Sequence, residues 1–307
     1  MAYEGEIAAL ATAFCWSTTS LFFAAAGKRI GSFQVNQIRI VMAVVFLLIM
    51  HLIAFGSIWP SGATWRQFGL LAASGIVGLF LGDTFYFKAL VDLGPKLATL
   101  LMSLYPLFAA FIAWFALGEM LGGQALSGMM LAIGGVAIAV TGRRSKKKNN
   151  ESRLPGHLWL GLACGLLGAI GQGAGIVIAK AGLQDFNSLS GTLIRMTVAM
   201  VALWTIAGFQ FAASRRSGKS MALFSSLRDF RALGFTAGGA FFGPFVGVWL
   251  SLFAVMHSKV GIVATIMATI PIIIIPQTWI IHREKPTFME LLGALTTFSG
   301  VVLLVLS

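Results

Sequence analysis

Apolar runs of about 20 residues recur along the whole chain, separated by short breaks at glycine, proline and charged residues. A helix of that length crosses the roughly 30 Å hydrocarbon core of a bilayer. Charged residues make up 10% of the chain and hydrophobic residues 58%, whereas about a quarter of a soluble domain is charged. Too little polar surface remains to face water, so the sequence predicts an integral membrane protein whose main partner is the lipid bilayer.

The breaks divide the chain into ten predicted helices, five on either side of a polar linker. Helices are required because the runs are about twice as long as the strands of membrane barrels and lack strict alternation. The first five predicted spans are Ile7–Ala26, Phe33–Phe55, Phe68–Leu90, Lys96–Leu117 and Gln124–Thr141. The second five are Leu158–Ala181, Leu189–Ala213, Ala232–Met256, Val260–Ile281 and Phe288–Leu306.

The two halves repeat each other at an offset of 165 residues. Three unusual residue types recur at matched places: Pro106 and Pro271, Trp114 and Trp279, Glu119 and Glu284. Glycines keep the same offset: Gly78 and Gly243, Gly82 and Gly247, Gly128 and Gly293, Gly135 and Gly300. Nearer the start of each half, Arg39 in QIRI matches Arg195 in LIRM at an offset of 156, a slip that different loop lengths would produce. The chain is therefore an internal duplication of a five-helix unit.

Five is an odd number, and this determines how the second copy crosses the membrane. A copy that enters after five crossings runs the opposite way, so residues 5–141 and 157–307 are predicted to be inverted repeats around the linker 142–156. Inverted repeats let a central site open to either side in turn. The predicted fold class is an all-α membrane protein of ten transmembrane helices in two inverted five-helix repeats, which favours a transporter.

Loop charges indicate the orientation. Of the 22 Lys and Arg residues, 17 lie in loops on the side of the linker, GRRSKKKNNESRLPG, and three lie on the opposite side. Because positive loops stay in the cytoplasm, the linker is predicted to be cytoplasmic and both termini external. The net charge of +12 is thus explained by membrane orientation. No basic stretch outside the spans is interleaved with aromatic residues, so nucleic acid is not predicted as a partner.

Each half ends with a proline-containing helix, a turn that carries a glutamate, and a glycine-rich last helix. These are Pro106, Glu119 and SGMMLAIGGVAIAV in the first half, and Pro271, Glu284 and LGALTTFSGVVLLV in the second. With the first span AFCWSTTSLFFAAAGK, the pattern resembles the drug/metabolite transporter superfamily, and within it the ten-helix EamA-type exporters. The resemblance implies efflux of small metabolites, commonly amino acids or their analogues, across a bacterial inner membrane. Such relatives are often drawn with cytoplasmic termini, which conflicts with the loop charges.

Candidate pathway residues are polar or aromatic side chains inside the predicted spans: Trp16, Asp83, Tyr86, Ser103, Tyr105, Gln172, Trp249, Ser251 and Thr269. Asp83 is the only carboxylate well inside a span, where an ionised group is costly unless it is paired or faces a cavity. It could bind a substrate amine or carry a proton, or it could form a structural ion pair with Lys88 or Arg39. Its repeat position is Val248, so any role belongs to one half.

Small residues share one face of the third span, at Gly75, Gly78 and Gly82, and the same face of the eighth. Such a stripe either packs two helices closely or borders a cavity. In the second case it would end at two matched hydroxyls, Tyr86 and Ser251, that hydrogen-bond a substrate.

Two further pairs occupy repeat-related positions. Arg39 and Arg195 either reach the membrane interface with their long side chains or contact a carboxylate or phosphate as anion ligands. Pro106 and Pro271 each remove a backbone donor, and we interpret them as hinges or static bends. Glu119 and Glu284 are expected where their helices emerge into water.

The predicted function is export of small amphipathic metabolites, amino acids foremost, by alternating access. A sugar-phosphate or nucleotide-sugar exchanger and a drug exporter of the same superfamily are the alternatives. The sequence has no metal motif, phosphate loop or nucleophile–base pair, so we predict no enzyme, no catalytic residue, no metal and no cofactor. The partners are then a small-molecule substrate and lipid, and a monomer is the favoured state.

Overall fold

The fold is known from a computed structural model that describes residues 3–117, 122–147, 155–216, 227–248, 250–251, 254, 266–267, 269–283 and 285–306. Within these residues there are helices and turns but no strand. The helices of the first half are α1 Glu4–Ile30, α2 Ser32–Phe55, α3 Trp65–Leu93, α4 Pro95–Met102, α5 Tyr105–Leu117 and α6 Gly123–Lys147. Those of the second half are α7 Pro155–Gly182, α8 Ser188–Arg216, α9 Phe230–Ala240, α10 Ile270–His282 and α11 Phe288–Val305.

The all-α membrane class is confirmed. Among the described residues, five helices are long and apolar enough to cross a membrane, and three shorter apolar helices lie in α6, α10 and α11. α6 extends to Lys147 and α7 begins at Pro155, so the predicted linker 142–156 is partly helical.

The predicted fourth span, Lys96–Leu117, is two helices. α4 ends at Met102, and α5 begins at Tyr105 after a turn at residues 103–104. Pro106 is therefore the second residue of a helix, where its missing N–H leaves no hydrogen bond unmade. α10 begins in the same way, with Pro271 as its second residue. Both prolines follow a helix start instead of kinking a helix interior.

Two π-helical segments occur at matched places in the repeat. One, Gly75–Gly82, lies inside α3, and the other, Phe241–Gly247, continues α9. Gly82 and Gly247, which end the two segments, are related by the repeat offset. π-helical segments are rare and often occur at functional sites, so their pairing indicates that both copies kept one specialised feature.

The packing of α6 on α11 reveals the symmetry of the two halves. A Cβ atom on Gly135 would lie 2.7 Å from the carbonyl oxygen of Gly293, and one on Gly300 would lie 2.6 Å from that of Gly128. Between them, the Thr297 hydroxyl donates to the carbonyl of Ala132, its own repeat counterpart, at 3.4 Å. The contact position on α11 therefore moves backwards as the position on α6 moves forwards.

Such reciprocal contacts are those of a two-fold axis, and the antiparallel direction places that axis across the helices. The other helix pairs obey the same relation. The first helix of each half packs on the third helix of the other, α1 on α9 and α7 on α3, while the second helices α2 and α8 pack on each other. The two five-helix units are therefore inverted relative to one another.

One exposed ion pair joins the halves on the linker side. Asp229 precedes α9 and accepts hydrogen bonds from the backbone N–H of Ala232 at 3.0 Å and from Nε of Arg29 at 2.8 Å. The Ala232 amide and the Arg29 side chain hold the pKa of the Asp229 carboxyl below its usual value. Asp229 thus caps α9 and links it to the end of α1.

Replacing Gly135 by Ala is expected to destabilise the protein by about 1–3 kcal/mol, because the new methyl group would overlap backbone atoms that no rotamer change can move. Gly300→Ala should cost a similar amount, since the two-fold axis relates the two sites. Gly134→Ala is the matched control, because no atom lies within 4 Å of its added Cβ. Thermal unfolding in detergent measures all three, and equal melting temperatures for Gly135→Ala and Gly134→Ala would contradict the close packing.

Inversion also predicts which loops share a side. In a variant with Cys15 and Cys164 replaced by Ala, an impermeant maleimide added to intact cells should label Ser61→Cys between α2 and α3. Arg228→Cys, in the repeat-equivalent loop between α8 and α9, should be labelled only after permeabilisation. Both original positions are exposed. Labelling of both loops from one side would rule out the inverted arrangement.

Candidate functional site

A cluster of charged and amide side chains is buried where α2, α3 and α7 meet. Asp83 is 6% exposed, and its Oδ2 accepts a hydrogen bond from Nη2 of Arg39 on α2. Its Oδ1 accepts a second from Nε2 of Gln172 on α7. Both halves of the chain thus contribute to the coordination of one carboxylate.

Arg39 has partners on two of its three side-chain nitrogens. Its Nε donates to Oδ1 of Asn36 at 3.0 Å, and the Asn36 amide donates in turn to the Thr84 hydroxyl at 3.2 Å. Its guanidinium lies 4.8 Å from the ring centroid of Phe87, within the range of a cation–π contact. Arg39 is 4% exposed and does not reach the membrane interface. Of the two interpretations of Asp83, the geometry matches the ion pair with Arg39, while Lys88 pairs with Asp92 at 2.8 Å.

Arg195, the repeat counterpart of Arg39, lies in the same cluster but is bound differently. Its Nη2 is 3.7 Å from the place where a Cβ atom on Gly78 would stand, and Oε1 of Gln172 is 3.7 Å from the same place. Its Nε is buried and has no hydrogen-bond partner among the described residues. Among the described residues, one carboxylate therefore faces two guanidinium groups, which gives the cluster one surplus positive charge.

The glycine stripe on α3 explains how this cluster forms. A Cβ atom on Gly175 would lie 2.8 Å from Cα of Gly78, and one on Gly171 would lie 2.8 Å from Cα of Gly82. The two helices touch backbone to backbone, so the packing interpretation of the stripe is the one that the geometry supports. This contact brings Gln172 within hydrogen-bonding distance of Asp83.

A second polar contact connects the cluster to α1. The Tyr86 hydroxyl lies 3.0 Å from Oγ of Ser20, and Ser20 also donates to the backbone carbonyl of Trp16 at 3.0 Å. The indole nitrogen of Trp16 lies 3.2 Å from where a Cβ on Gly247 would stand, at the end of the second π-helical segment. Tyr86 and Trp16 therefore both lie beside contacts between the two halves.

Three of the other predicted residues use their hydroxyl groups locally. Those of Ser103, Ser251 and Thr269 each donate to the carbonyl three residues earlier, at 2.6–2.7 Å. Ser103 and Thr269 thus complete the turns that precede α5 and α10. The hydroxyls of Tyr86 and Ser251, although matched in sequence, have different partners.

The remaining predictions divide by position. The Tyr105 side chain is half-buried, and its carbonyl would lie 2.9 Å from a Cβ on Gly173 of α7. Trp249, Glu119 and Glu284 lie outside the described residues, and their roles stay predictions, as does hinge motion at Pro106 and Pro271.

Sequence reasoning missed Asn36, Thr84 and Ser20. Asn36 is fully buried and lies one helical turn before Arg39, a spacing that places both side chains on one face. A polar amide inside an apolar run was thus an available signal. Ser20 could not be identified, since small hydroxyl residues are common in membrane helices and usually bond their own backbone.

Comparison with known proteins agrees with this architecture. The sequence model of the EamA-like transporter family matches residues 4–141 and 159–306, which correspond to the two inverted halves. The chain belongs to the EamA-like transporter family. As an EamA-type protein of the drug/metabolite transporter superfamily, it is a multi-pass membrane transporter.

A structural comparison supports the same fold for this EamA-type chain. One solved structure, described as "Crystal structure of protein", is 17% identical, with a TM-score of 0.63 over 100% of this chain and 98% of the other. Identity this low shows a shared fold and nothing about the substrate. None of the curated proteins matches the chain.

The buried ion pair gives a stability prediction. Arg39→Gln should lower the free energy of unfolding by about 3–5 kcal/mol, because it leaves the Asp83 carboxylate buried without its counter-charge. Adding Asp83→Asn to that variant should recover part of the loss. Arg29→Gln, which breaks the exposed pair with Asp229, is the matched control and should change stability little. Thermal unfolding in detergent gives the comparison, and additive losses in the double variant would exclude direct coupling of Arg39 to Asp83.

Proposed function

We propose that the protein exports small amphipathic metabolites, amino acids foremost, by alternating access of one central site. The observation that carries this proposal is the Arg39–Asp83–Gln172–Arg195 cluster, in which a buried ion pair and two half-buried side chains lie between two inverted units. Charged residues inside membrane spans are costly and rare, and they often line substrate or ion pathways. A site shared by inverted repeats is the one that rocking of the repeats would expose to each side in turn.

The neighbouring residues favour an amphipathic substrate. Phe23 and Phe87 pack at 5.0 Å between ring centroids beside the ion pair, and the Tyr86 ring meets that of Phe87 edge to face at 6.1 Å. Charged hydrogen-bonding groups therefore lie next to apolar rings. An amino acid with an apolar side chain has both features, as do many of its analogues.

Loop charges and the family resemblance together support a location and a direction. The excess of Lys and Arg on the linker side favours a cytoplasmic linker, and the resemblance to EamA-type exporters favours efflux across a bacterial inner membrane. Efflux would then run from the basic face of the protein to the opposite one. A sugar-phosphate exchanger is less well supported, because a phosphate dianion needs several cations and Arg39 is already paired with Asp83.

Counterflow in proteoliposomes tests the proposal. Proteoliposomes that contain the purified protein are loaded with one unlabelled compound and then given the same compound in labelled form, with and without a proton gradient. They are expected to accumulate labelled amino acids and not labelled glucose 6-phosphate or quaternary amines. Accumulation of the sugar phosphate alone would favour the exchanger, and no accumulation of any compound would contradict the export proposal.

One substitution connects transport to the site. Tyr86→Phe removes the hydroxyl that contacts Ser20 and is expected to lower the counterflow rate about threefold to tenfold, the value of one hydrogen bond. Tyr3→Phe is the control, because Tyr3 is 72% exposed. Melting temperatures of both variants should stay close to that of the wild type. An unchanged rate for Tyr86→Phe would place the pathway away from this residue.

A further inference from the structure

The two repeat-related arginines lie equally far from the N-terminal ends of two helices that run in opposite directions. Arg39 is seven residues after Ser32, the first residue of α2, and Arg195 is seven residues after Ser188, the first residue of α8. At about 1.5 Å per residue, each lies about 10 Å inside its helix. Because the halves are inverted, α2 begins on the linker side and α8 on the other. The two guanidinium groups therefore approach the middle of the bundle from opposite sides.

Only one of these arginines has a carboxylate of its own. Asp83 lies in α3 of the first half, and its repeat counterpart is Val248, which carries no charge. Asp83 gives one oxygen to Arg39 and the other to Gln172. Arg195 is left with a buried Nε that no described residue accepts from. An arginine stays protonated in a protein, so this charge cannot be removed by losing a proton.

The surplus charge calls for a ligand that supplies a counter-ion. A single carboxylate would bring the cluster to neutrality, and its two oxygens match the fork of a guanidinium. A phosphate monoester carries about −1.5 to −2 charges at neutral pH and would overcompensate. Nε of Arg195 is buried without an acceptor among the described residues, so a bound monoanion would supply both an acceptor and a counter-charge.

Gln172 defines what lies beside that carboxylate. An ionised carboxylate only accepts hydrogen bonds, so Gln172 must turn its Nε2 to Asp83. Its Oε1 then remains as an acceptor, and this atom and Nη2 of Arg195 each lie 3.7 Å from the Cβ position of Gly78, so both border the same small region. A ligand carboxylate on Arg195 would have this acceptor near its α-substituent, where an ammonium group could donate.

We propose that Arg195 is the receptor for the carboxylate of the transported substrate, with Oε1 of Gln172 beside it to accept from the substrate's amino group. This inference rests on the export proposal and narrows its substrate class to small α-amino monocarboxylates. It also assigns different tasks to the repeat-related pair, since Arg39 neutralises Asp83 while Arg195 binds the ligand.

Three probes that differ by one group test the assignment. Leucine, leucinamide and 4-methylpentanoate are each used to inhibit counterflow of labelled leucine in proteoliposomes. Wild-type protein should prefer leucine over leucinamide by about tenfold or more, the difference expected for loss of a charge-assisted hydrogen bond. 4-Methylpentanoate, which keeps the carboxylate and lacks the amine, should fall between them. Glucose 6-phosphate serves as the phosphate arm.

Substitution at Arg195 should remove the preference. In Arg195→Gln the ratio of leucine to leucinamide inhibition is expected to approach one, whereas Arg195→Lys, which keeps the charge, should retain a reduced preference. Arg66→Gln is the matched control because that arginine is exposed, and its ratio should equal that of the wild type. A merely structural role for Arg195 would lower all rates together and leave the ratio unchanged.

Chemical modification of the wild-type protein tests the same assignment without a variant that could fail to fold and without a transport assay. Phenylglyoxal modifies arginine side chains, and mass spectrometry reports the extent at Arg195. Leucine and 4-methylpentanoate should protect Arg195, while leucinamide should not. Equal protection by all three, or protection by glucose 6-phosphate alone, would overturn the carboxylate assignment. If leucine counterflow is inhibited equally well by leucine and by leucinamide, the carboxylate assignment is wrong but the export proposal still holds.

Discussion

The backbone contact between α3 and α7 is the constraint on which the centre of the molecule depends. Gly78 lies against Gly175 and Gly82 against Gly171, so four absent side chains let the two helices approach closely. Only at that separation can Gln172, from the second half, reach Asp83 in the first. Without water in the surrounding lipid, the contact also has to leave backbone hydrogen bonds satisfied. Gly78 and Gly82 both lie in the π-helical segment Gly75–Gly82 of α3, so the helix is wound more loosely where it contacts α7.

The ion pair at this centre is not explained by stability alone. A buried pair of charges often contributes less than apolar residues of the same volume would, because both ions lose their hydration. Asp83 is costly in the membrane without Arg39, and Arg39 is costly without Asp83, so each explains the other. Neither explains Arg195, which adds a second positive charge and whose buried Nε has no acceptor among the described residues. A cluster with unequal charges is understandable if a bound ligand supplies the missing negative charge. Transport requires that such a ligand bind favourably and still dissociate.

The sequence was sufficient to predict the membrane class, the duplication and the inversion, because each depends on pattern and parity and not on detail. The length of the apolar runs, the residues that match at an offset of 165 and the odd number of spans in each half can all be read directly from the sequence. The break before Pro106 was harder to predict, because an apolar run does not show where a helix stops and restarts. The site was predicted in part. Asp83 and Arg39 are recognisable as charges in apolar runs, but the partner Gln172 depends on which glycine faces meet, which one sequence does not specify.

Inversion and asymmetry act together in this chain. The scaffold obeys the two-fold axis closely, as the reciprocal contacts of Gly135 and Gly300 show. The residues at its centre do not obey the axis, since the repeat counterpart of Asp83 is the uncharged Val248. A symmetric site would bind a symmetric ligand best, whereas an amino acid has unlike ends. Divergence at a few central positions therefore leaves an asymmetric centre inside a symmetric scaffold, the combination that the proposed export of an amino acid by alternating access requires.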